Sequence, residues 1–278
     1  YETGGEKGGV DSVKRLTAFL NKTPAPSDEL RRLSLYRLGH VHFEQKSYLP
    51  SAKAFEELLK DAPKNLVIFS AWQSGEARRQ LALTAKGDAR IREYRAALKN
   101  YRLTAKASVI GQGNQEELKQ QALVRIGEAL ASLEDWKSSQ NSFSQFVAAH
   151  PNHKLIRTAC LGLGWSMHNQ KNYAGAIASY EKTVEGGIRD DTGARAQFLL
   201  GECYLENDQP TKARTEFSKV YQLYAFPQWQ SKALFEMARS YAQEDKTNEA
   251  KTVFNKLIEK YPDTPAATAA KDELKRLN

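Results

Sequence analysis

The strongest constraint on the fold of this chain is a spacing of 37 residues that recurs three times. It separates four small residues: Gly127, Gly164, Gly201 and Ala238. An aromatic residue follows a small residue by sixteen positions in five places: Gly39/Phe55, Gly127/Phe143, Gly164/Tyr180, Gly201/Phe217 and Ala238/Phe254. Four positions before each aromatic stands another small residue: Ser51, Ser139, Ala176, Ala213 and Ala250. A period that keeps its internal offsets indicates a repeat array rather than an irregular helical bundle.

The composition favours helices in this array. The chain has 35 Ala and 29 Leu against only 10 Val and 8 Ile, so a large β-sheet is not expected. Pro63, Pro151 and Pro262 follow three of the aromatics by eight residues, where a helix should already have ended. We therefore predict units of two antiparallel helices. The small residues let the helices cross closely, and the aromatic fills the space between one unit and the next.

These residues resemble the tetratricopeptide pattern of Trp-Leu-Gly-Tyr followed by Ala, Phe, Ala and Pro. The resemblance covers nearly the whole chain. It implies an all-α solenoid, a right-handed superhelix of helix-turn-helix repeats whose first helices line the concave face. The spacing of 37 exceeds the family's usual 34 residues by three, which an extra turn before each first helix would absorb.

We expect a single array over residues 1–278, and a mature or truncated piece of a longer chain, since Tyr1 is not an initiator Met. Its predicted parts are a partial repeat (1–24), six repeats (28–63, 64–110, 115–151, 153–188, 191–225 and 228–262) and a capping helix (264–277). The cap would present a polar face at the end of the stack, as a terminal repeat must.

The second repeat departs from the period. Gly75 and Gly127 are 52 residues apart, which is 15 more than 37. Insertions in repeat arrays usually fall in loops, so we predict about ten extra residues between the paired helices, around 81–90, and about five in the loop before the third repeat.

The same repeat carries most of the excess charge. Residues 78–106 contain nine basic and two acidic residues, a net charge of +7 against +8 for the whole chain. Five basic residues step by three and four and therefore share one helix face: Arg92, Arg95, Lys99, Arg102 and Lys106. This basic stripe suits an acidic protein, a nucleic acid or anionic lipid head groups. Alternatively, it is a solvated face whose long side chains cover neighbouring aromatics. Both interpretations stay open.

The sequence contains no motif that predicts catalysis. It has no Gly-x-Ser-x-Gly elbow, no dinucleotide fingerprint and no His-Glu-x-x-His. Its five histidines and its two cysteines, Cys160 and Cys203, do not stand at metal-ligand spacings. We predict a protein that is not an enzyme and has no metal, cofactor or small-molecule substrate. A catalytic domain elsewhere in a longer chain is the alternative.

The family resemblance also predicts a binding surface. Positions three residues before each small residue would face the concave groove, and all six are apolar: Tyr36, Trp72, Val124, Leu161, Phe198 and Phe235. Adding cations and a Trp on the same face gives the predicted groove: Tyr36, Trp72, Trp165, Phe198, Phe235, Arg195, Lys232 and Arg239. Aromatics with a few cations suit a peptide or an amphipathic helix. The alternative is that these rings pack in the core.

Two further comparisons narrow the expected partner. Members of the family that bind chaperone tails carry a Lys and Asn set on their first helices, which this chain replaces with Tyr36, His40, Trp72, Glu76, Val124 and Glu128. An adaptor for chaperone tails is therefore not expected.

The last repeat and its cap resemble the C-terminal repeats of bacterial envelope proteins, those of outer-membrane assembly and the Tol-Pal system. The resemblance is carried by Phe254, Leu257, Ile258, Tyr261 and Pro262.

The sequence thus predicts a non-catalytic scaffold that binds a peptide or helix of a protein partner, within a bacterial envelope assembly. The expected compartment is the periplasm, with the cytoplasm as the alternative. The alternative function is binding of a nucleic acid or an anionic partner through the basic stripe. Charge confined to one repeat argues against recognition of RNA base by base, which needs polar residues in every repeat.

Overall fold

A computed structural model of the chain describes residues 6–22, 24–110 and 113–277, and these residues form α-helices without a β-strand. The helices are α1 (Glu6–Leu20), α2 (Asp28–Glu44), α3 (Tyr48–Leu58), α4 (Lys64–Thr84), α5 (Gly87–Lys106), α6 (Gln115–Ser132), α7 (Trp136–Ala149), α8 (Ile156–Asn169), α9 (Tyr173–Val184), α10 (Asp191–Glu206), α11 (Pro210–Leu223), α12 (Pro227–Gln243), α13 (Thr247–Lys260) and α14 (Pro265–Arg276). The fold class is all-α and built of helix pairs, as the repeat pattern predicts.

The chain divides into two compact units, with the boundary between Ser142 and Phe143, inside α7. In the first unit, consecutive helices pack against each other from α1 through α6. In the second unit, the helices from α8 to α14 do the same, and α8, α10, α12 and α14 also contact one another in that order. That the two units form one array stays a prediction. Among the described helices, none has the length and apolar character needed to span a bilayer.

Helix pairs cross at a glycine that lies directly against an aromatic ring. A Cβ added to these glycines would come within 2.5–2.7 Å of a ring carbon in the pairs Gly39/Phe55, Gly75/Tyr101, Gly164/Tyr180 and Gly201/Phe217. A close-packed interior has no room for a methyl group at such distances. The predicted role of the small residues is therefore confirmed.

The aromatic rings lie against their own pair and also share the core with the next pair, as predicted for a ring between two units. In these four pairs the ring packs on the glycine of its own pair, and Tyr101, Tyr180 and Phe217 also belong to buried clusters that include Ala122, Ala196 and Ala233 of the following pair. Phe143 contacts Gly162 of the following pair. In the first unit, the small residue of the second helix adds a buried hydrogen bond, since Ser51 Oγ donates to the Gly39 carbonyl at 2.8 Å and Ser139 Oγ to that of Gly127 at 2.8 Å.

The turn inside each regular pair falls seven positions after the small residue. There the backbone is left-handed, with φ between 55° and 60°, at Lys46, Glu134, Lys171, Asp208 and Asp245. At the end of α10, the N–H of Asp208 donates to the Leu205 carbonyl (3.1 Å) and that of Gln209 to the Tyr204 carbonyl (2.8 Å). These bonds form a Schellman motif, which ends a helix and reverses the chain.

The pair of α4 and α5 lacks this turn. Seven positions after Gly75 stands Ala82, which is buried inside α4. α4 has 21 residues and α5 has 20, whereas α10 and α11 have 16 and 14. The prediction of a loop insertion around 81–90 is therefore wrong. Residues 77–84 (ARRQLALT) are mostly strong helix formers with no turn residue, so the extra length extends both helices. The predicted longer loop before the third repeat lies partly outside the described residues.

Candidate functional site

In the second unit, the first helices of consecutive pairs form a continuous layer. α8 packs on α10 and α10 on α12, while α9 and α11 each pack against the first helix of their own pair and that of the next. We call the side of α8, α10 and α12 that carries the exposed Arg195, Lys232 and Arg239 the first-helix face. The predicted groove residues of this unit are placed relative to this face.

Two predicted aromatics lie partly exposed on the first-helix face, each beneath an arginine. The guanidinium of Arg195 lies 5.9 Å from the ring centre of Trp165, and that of Arg239 lies 5.8 Å from the ring centre of Phe235. The ammonium group of Lys232 lies 4.8 Å from the ring centre of Trp229. A cation over a ring is attracted by the negative face of the π system. The face therefore combines partly exposed apolar surface with exposed positive charge.

Phe198 belongs to the core. Its side chain is only 6% exposed, and its ring packs against Phe217 and Trp229, with ring centres 5.6 Å apart in both cases. This burial corrects the assignment of Phe198 to the groove, because a neighbouring ring from α12 covers it. Sequence reasoning missed Trp229, which is partly exposed and donates from Nε1 to an oxygen of Asp191 at 2.8 Å. Val124 and Leu161, expected to face the groove, are also buried.

Glu202 is the second residue that sequence reasoning missed. It lies one position after Gly201, the position that Trp165 and Arg239 occupy in their repeats. Its carboxylate has no hydrogen bond or salt bridge with any described residue. Burial raises the pKa of Glu202 to about 7, and repulsion from Glu236 and Glu206 adds to the effect, against a small opposing contribution from Lys232. A cation or a hydrogen-bond donor placed here would stabilise the carboxylate.

The two neighbouring carboxylates already have partners. Glu236 accepts hydrogen bonds from Arg239 at 3.1 Å. Glu206 lies 3.1 Å from Nε2 of the buried His168. Burial raises the pKa of Glu236, although Arg239 opposes this effect. Of the three neighbouring glutamates Glu202, Glu206 and Glu236, Glu202 is therefore the one without a hydrogen-bond or salt-bridge partner among the described residues.

In the first unit, the predicted groove rings pack against their own repeats. Tyr36 contacts His40 edge-on, with ring centres 4.6 Å apart, and Trp72 lies on Tyr101 with ring centres 5.7 Å apart. Both rings are partly buried. Each ring therefore packs against its own repeat and also keeps part of its surface exposed. The two rings fit both the groove interpretation and the core interpretation.

Glu76 occupies the same repeat position as Glu202, yet it is fully partnered. Its carboxylate accepts hydrogen bonds from Tyr101 Oη at 2.7 Å, from Arg79 at 2.9 Å and from Arg125 at 3.1 Å. Burial alone would raise the pKa of Glu76, but Arg125, Arg79 and Tyr101 outweigh burial and lower it. We call these four residues the Glu76 cluster. It leaves no unpaired charge at this position.

The five residues of the basic stripe are all exposed on α5. Arg92 forms a salt bridge with Glu93 at 3.2 Å, while the other four have no salt bridge with the described residues. On the opposite side of the helix, Tyr94 and Tyr101 are buried. The structure thus brings the stripe together on one outward surface of the first unit.

The glycine–ring crossings, the shared turn and the stacked helix pairs define a helical-repeat protein. Family models described as tetratricopeptide repeat match residues 124–191, 195–225 and 232–264. These residues therefore carry the tetratricopeptide pattern that their small and aromatic residues predict. Such repeats generally mediate protein–protein interactions, and the matching family models are not those of an enzyme. A search of curated proteins finds no match to this chain.

Solved structures show the same fold at low sequence identity. The C-terminal part of a repeat protein from Cytophaga hutchinsonii matches with a TM-score of 0.62 and 18% identity, over 87% of this chain and 95% of that one. PilW, described as a type IV pilus biogenesis factor, matches with a TM-score of 0.59 and 16% identity, over 86% and 97% of the two chains. YrrB, described as having an unusual peptide-binding site, matches with a TM-score of 0.54 and 17% identity, over 80% and 99%.

Proposed function

We propose that this protein is a non-catalytic scaffold that binds a peptide or an amphipathic helix of a protein partner on the first-helix face of its second unit. The observation that carries the proposal is the unpaired carboxylate of Glu202 on a face with the partly exposed rings of Trp165 and Phe235. A half-buried charge without a partner is costly in the free protein, and a bound cation would remove that cost.

The chemistry of the face indicates what the partner segment carries. A Lys or Arg side chain of the partner would supply the cation that Glu202 lacks. Apolar side chains on the same segment would cover Trp165 and Phe235, since aromatic residues are typical anchors of interfaces. The exposed Arg195 and Lys232 would contact carboxylates or carbonyl oxygens of the partner. A basic, amphipathic segment fits all three features.

The peptide-binding site named for YrrB supports a similar use of this fold. We further propose that the partner belongs to a bacterial envelope assembly and that the compartment is the periplasm. The support is the resemblance of the last repeat and cap to envelope proteins, together with the fold shared with PilW, a type IV pilus biogenesis factor.

The experiment is selection of peptides from a random display library on the purified protein, followed by calorimetry of the selected peptides at pH 8, where Glu202 is mostly ionised. We expect the peptides to carry Lys or Arg beside apolar residues. Trp165→Ala should weaken binding about 30-fold, equivalent to about 2 kcal/mol, and Glu202→Gln about tenfold or more.

The matched control is Glu259→Gln, which removes an exposed carboxylate from the second helix α13 and should leave the affinity unchanged. Circular dichroism of each variant should stay that of a helical protein. Selected peptides that lack basic residues, or that bind Glu202→Gln and Trp165→Ala as tightly as the unmodified protein, would contradict the proposed site.

A further inference from the structure

The outer face of α5 carries the exposed basic stripe. Its five basic residues, Arg92 to Lys106, span 15 residues, and the 14 steps between the first and the last extend about 21 Å along the helix axis. Asp88 lies at the start of the same face, and the buried Glu93 binds both Arg78 at 2.8 Å and Arg92 at 3.2 Å. With Arg92 alone in a salt bridge, the positive charge of this face is almost unneutralised.

Exposed aliphatic side chains flank this row of charges. Ile91 lies on one side of it and Leu103 on the other, and the two are 41% and 40% exposed. Leu83 at the end of α4 is exposed too, as are Val109 and Ile110 just after α5. Five of the eleven exposed large hydrophobic side chains of the described residues thus fall within residues 83–110. Exposed charge and exposed apolar side chains are thus concentrated in the same segment of the chain, and Ile91 and Leu103 lie directly beside the stripe.

This combination of charge and aliphatic surface favours an anionic lipid surface over a nucleic acid. Single-stranded nucleic acids are usually held by exposed aromatic side chains on which the bases stack, but the tyrosines of α5, Tyr94 and Tyr101, are buried. Aliphatic residues beside a basic row match a membrane interface instead. There the cations contact anionic head groups and the aliphatic side chains enter the boundary with the acyl chains.

We propose that the outer face of α5 binds the surface of an anionic lipid bilayer, with the helix axis parallel to the membrane. The opposite face of α5 is fixed in the protein by Tyr94, Leu98 and Tyr101, so the helix binds as part of the folded unit. The association is peripheral, and it does not depend on the function proposed for the first-helix face.

The experiment is co-sedimentation of the whole chain with vesicles of phosphatidylcholine, either alone or with about a third phosphatidylglycerol. We expect binding only to the anionic vesicles, and weaker binding as salt rises. The combined change Arg95→Glu, Lys99→Glu and Arg102→Glu should lower the partition coefficient about 100-fold or more, since each basic residue near the surface contributes about fivefold. The change Ile91→Ser with Leu103→Ser should lower it about tenfold.

The matched control reverses three exposed cations of α14, Lys271→Glu, Lys275→Glu and Arg276→Glu, which changes the net charge equally and should keep most of the binding. If the α5 reversal unfolds the protein, the same three positions changed to Gln test the charge alone. Three results would overturn the proposal. They are equal loss in the α14 variant, full binding by the Ile91/Leu103 variant, and binding of a single-stranded oligonucleotide through α5 without any binding of anionic vesicles.

Discussion

The pair of α4 and α5 and the pair of α10 and α11 place a glutamate at the same repeat position and give it opposite surroundings. Glu76 receives hydrogen bonds from Tyr101, Arg79 and Arg125. The corresponding positions around Glu202 hold Phe217, Leu205 and Glu236. The phenol of Tyr101 is thus replaced by the phenyl ring of Phe217. Leu205 stands in place of the cation Arg79, and the carboxylate of Glu236 stands in place of the cation Arg125.

This difference shows how one repeat position serves two purposes. In the long pair, the glutamate is part of the structure, because its cluster joins α4, α5 and α6. In the regular pair, apolar contacts hold the helices together and the glutamate is left without a partner on the first-helix face. The three residues that differ around the glutamate, rather than the glutamate itself, distinguish the position that joins helices from the position for which we propose contact with a partner.

The largest expected effect is that of removing the partnered glutamate. Glu76→Ala would leave Arg79, Arg125 and Tyr101 without their shared acceptor, and we expect it to lower the free energy of unfolding by about 3 kcal/mol. Glu202→Ala should not lower it at pH 7, because the substitution removes a half-buried charge that has no partner. Urea unfolding followed by circular dichroism measures both. Equal losses of unfolding free energy in the two variants would contradict the claim that only Glu76 stabilises the fold.

The crossing glycines should be equally important in both pairs. A side chain at Gly75 would meet Tyr101, and one at Gly201 would meet Phe217. Gly75→Leu and Gly201→Leu should therefore each cost about 1–3 kcal/mol through overpacking, seen as a lower melting temperature. Gly87→Leu is a poorer control because its φ is +53°, so the exposed Leu83→Ala serves instead and should be nearly neutral. An unchanged melting temperature in either glycine variant would mean that its helices do not cross there.

The unpaired glutamate should make stability depend on pH. The pKa of Glu202 in the folded protein, about 7, lies above its ordinary value. The folded state therefore binds the proton more tightly, and this stabilisation is complete below the ordinary pKa and is lost as pH rises through about 7. Between pH 5 and pH 8 we expect a loss of about 2 kcal/mol in the unmodified protein relative to Glu202→Gln. Parallel pH profiles of the two proteins would contradict this assignment.

The smallest effects concern the turn. Asp208 ends α10 with φ of 55°, a conformation that glycine adopts without steric cost. Asp208→Gly also removes a negative charge from a helix C-terminus, so we expect a gain of about 0.5 kcal/mol. Ala82→Gly, at the equivalent position inside α4, should lose about 1 kcal/mol or more. The same sign in both variants, measured by chemical unfolding, would mean that the two pairs do not differ in their turn.

Much of the fold follows from the sequence because spacing and local chemistry agree. The offsets from each small residue predict which aromatic fills each crossing, as Phe217 does beside Gly201. The spacing alone does not predict where extra residues go. Around Ala82 the local sequence favours helix and contains no turn residue. Helix propensity therefore determines that the extra residues lengthen the helices, which the period does not predict.

The candidate site is less predictable, because a repeat offset gives the direction of a side chain but not its neighbours. The offset places Arg195, Lys232 and Arg239 on an exposed face, yet Phe198 is covered by Trp229 from the following helix. The state of Glu202 depends on which groups α12 brings beside it, so it requires the three-dimensional packing.

The central claim is that the neighbours of the repeat glutamate determine whether its carboxylate has hydrogen-bond or salt-bridge partners. Carbon-detected NMR titration of the glutamate carboxyls tests it most directly, in the unmodified protein and in a variant with Leu205→Arg and Glu236→Arg. We expect the pKa of Glu202 to be about 7 in the unmodified protein, and the pKa of Glu76 to lie below its ordinary value. In the variant, the pKa of Glu202 should fall below its ordinary value as well. Titration of Glu202 and Glu76 at the same pH, or an unchanged pKa of Glu202 in the variant, would contradict the account.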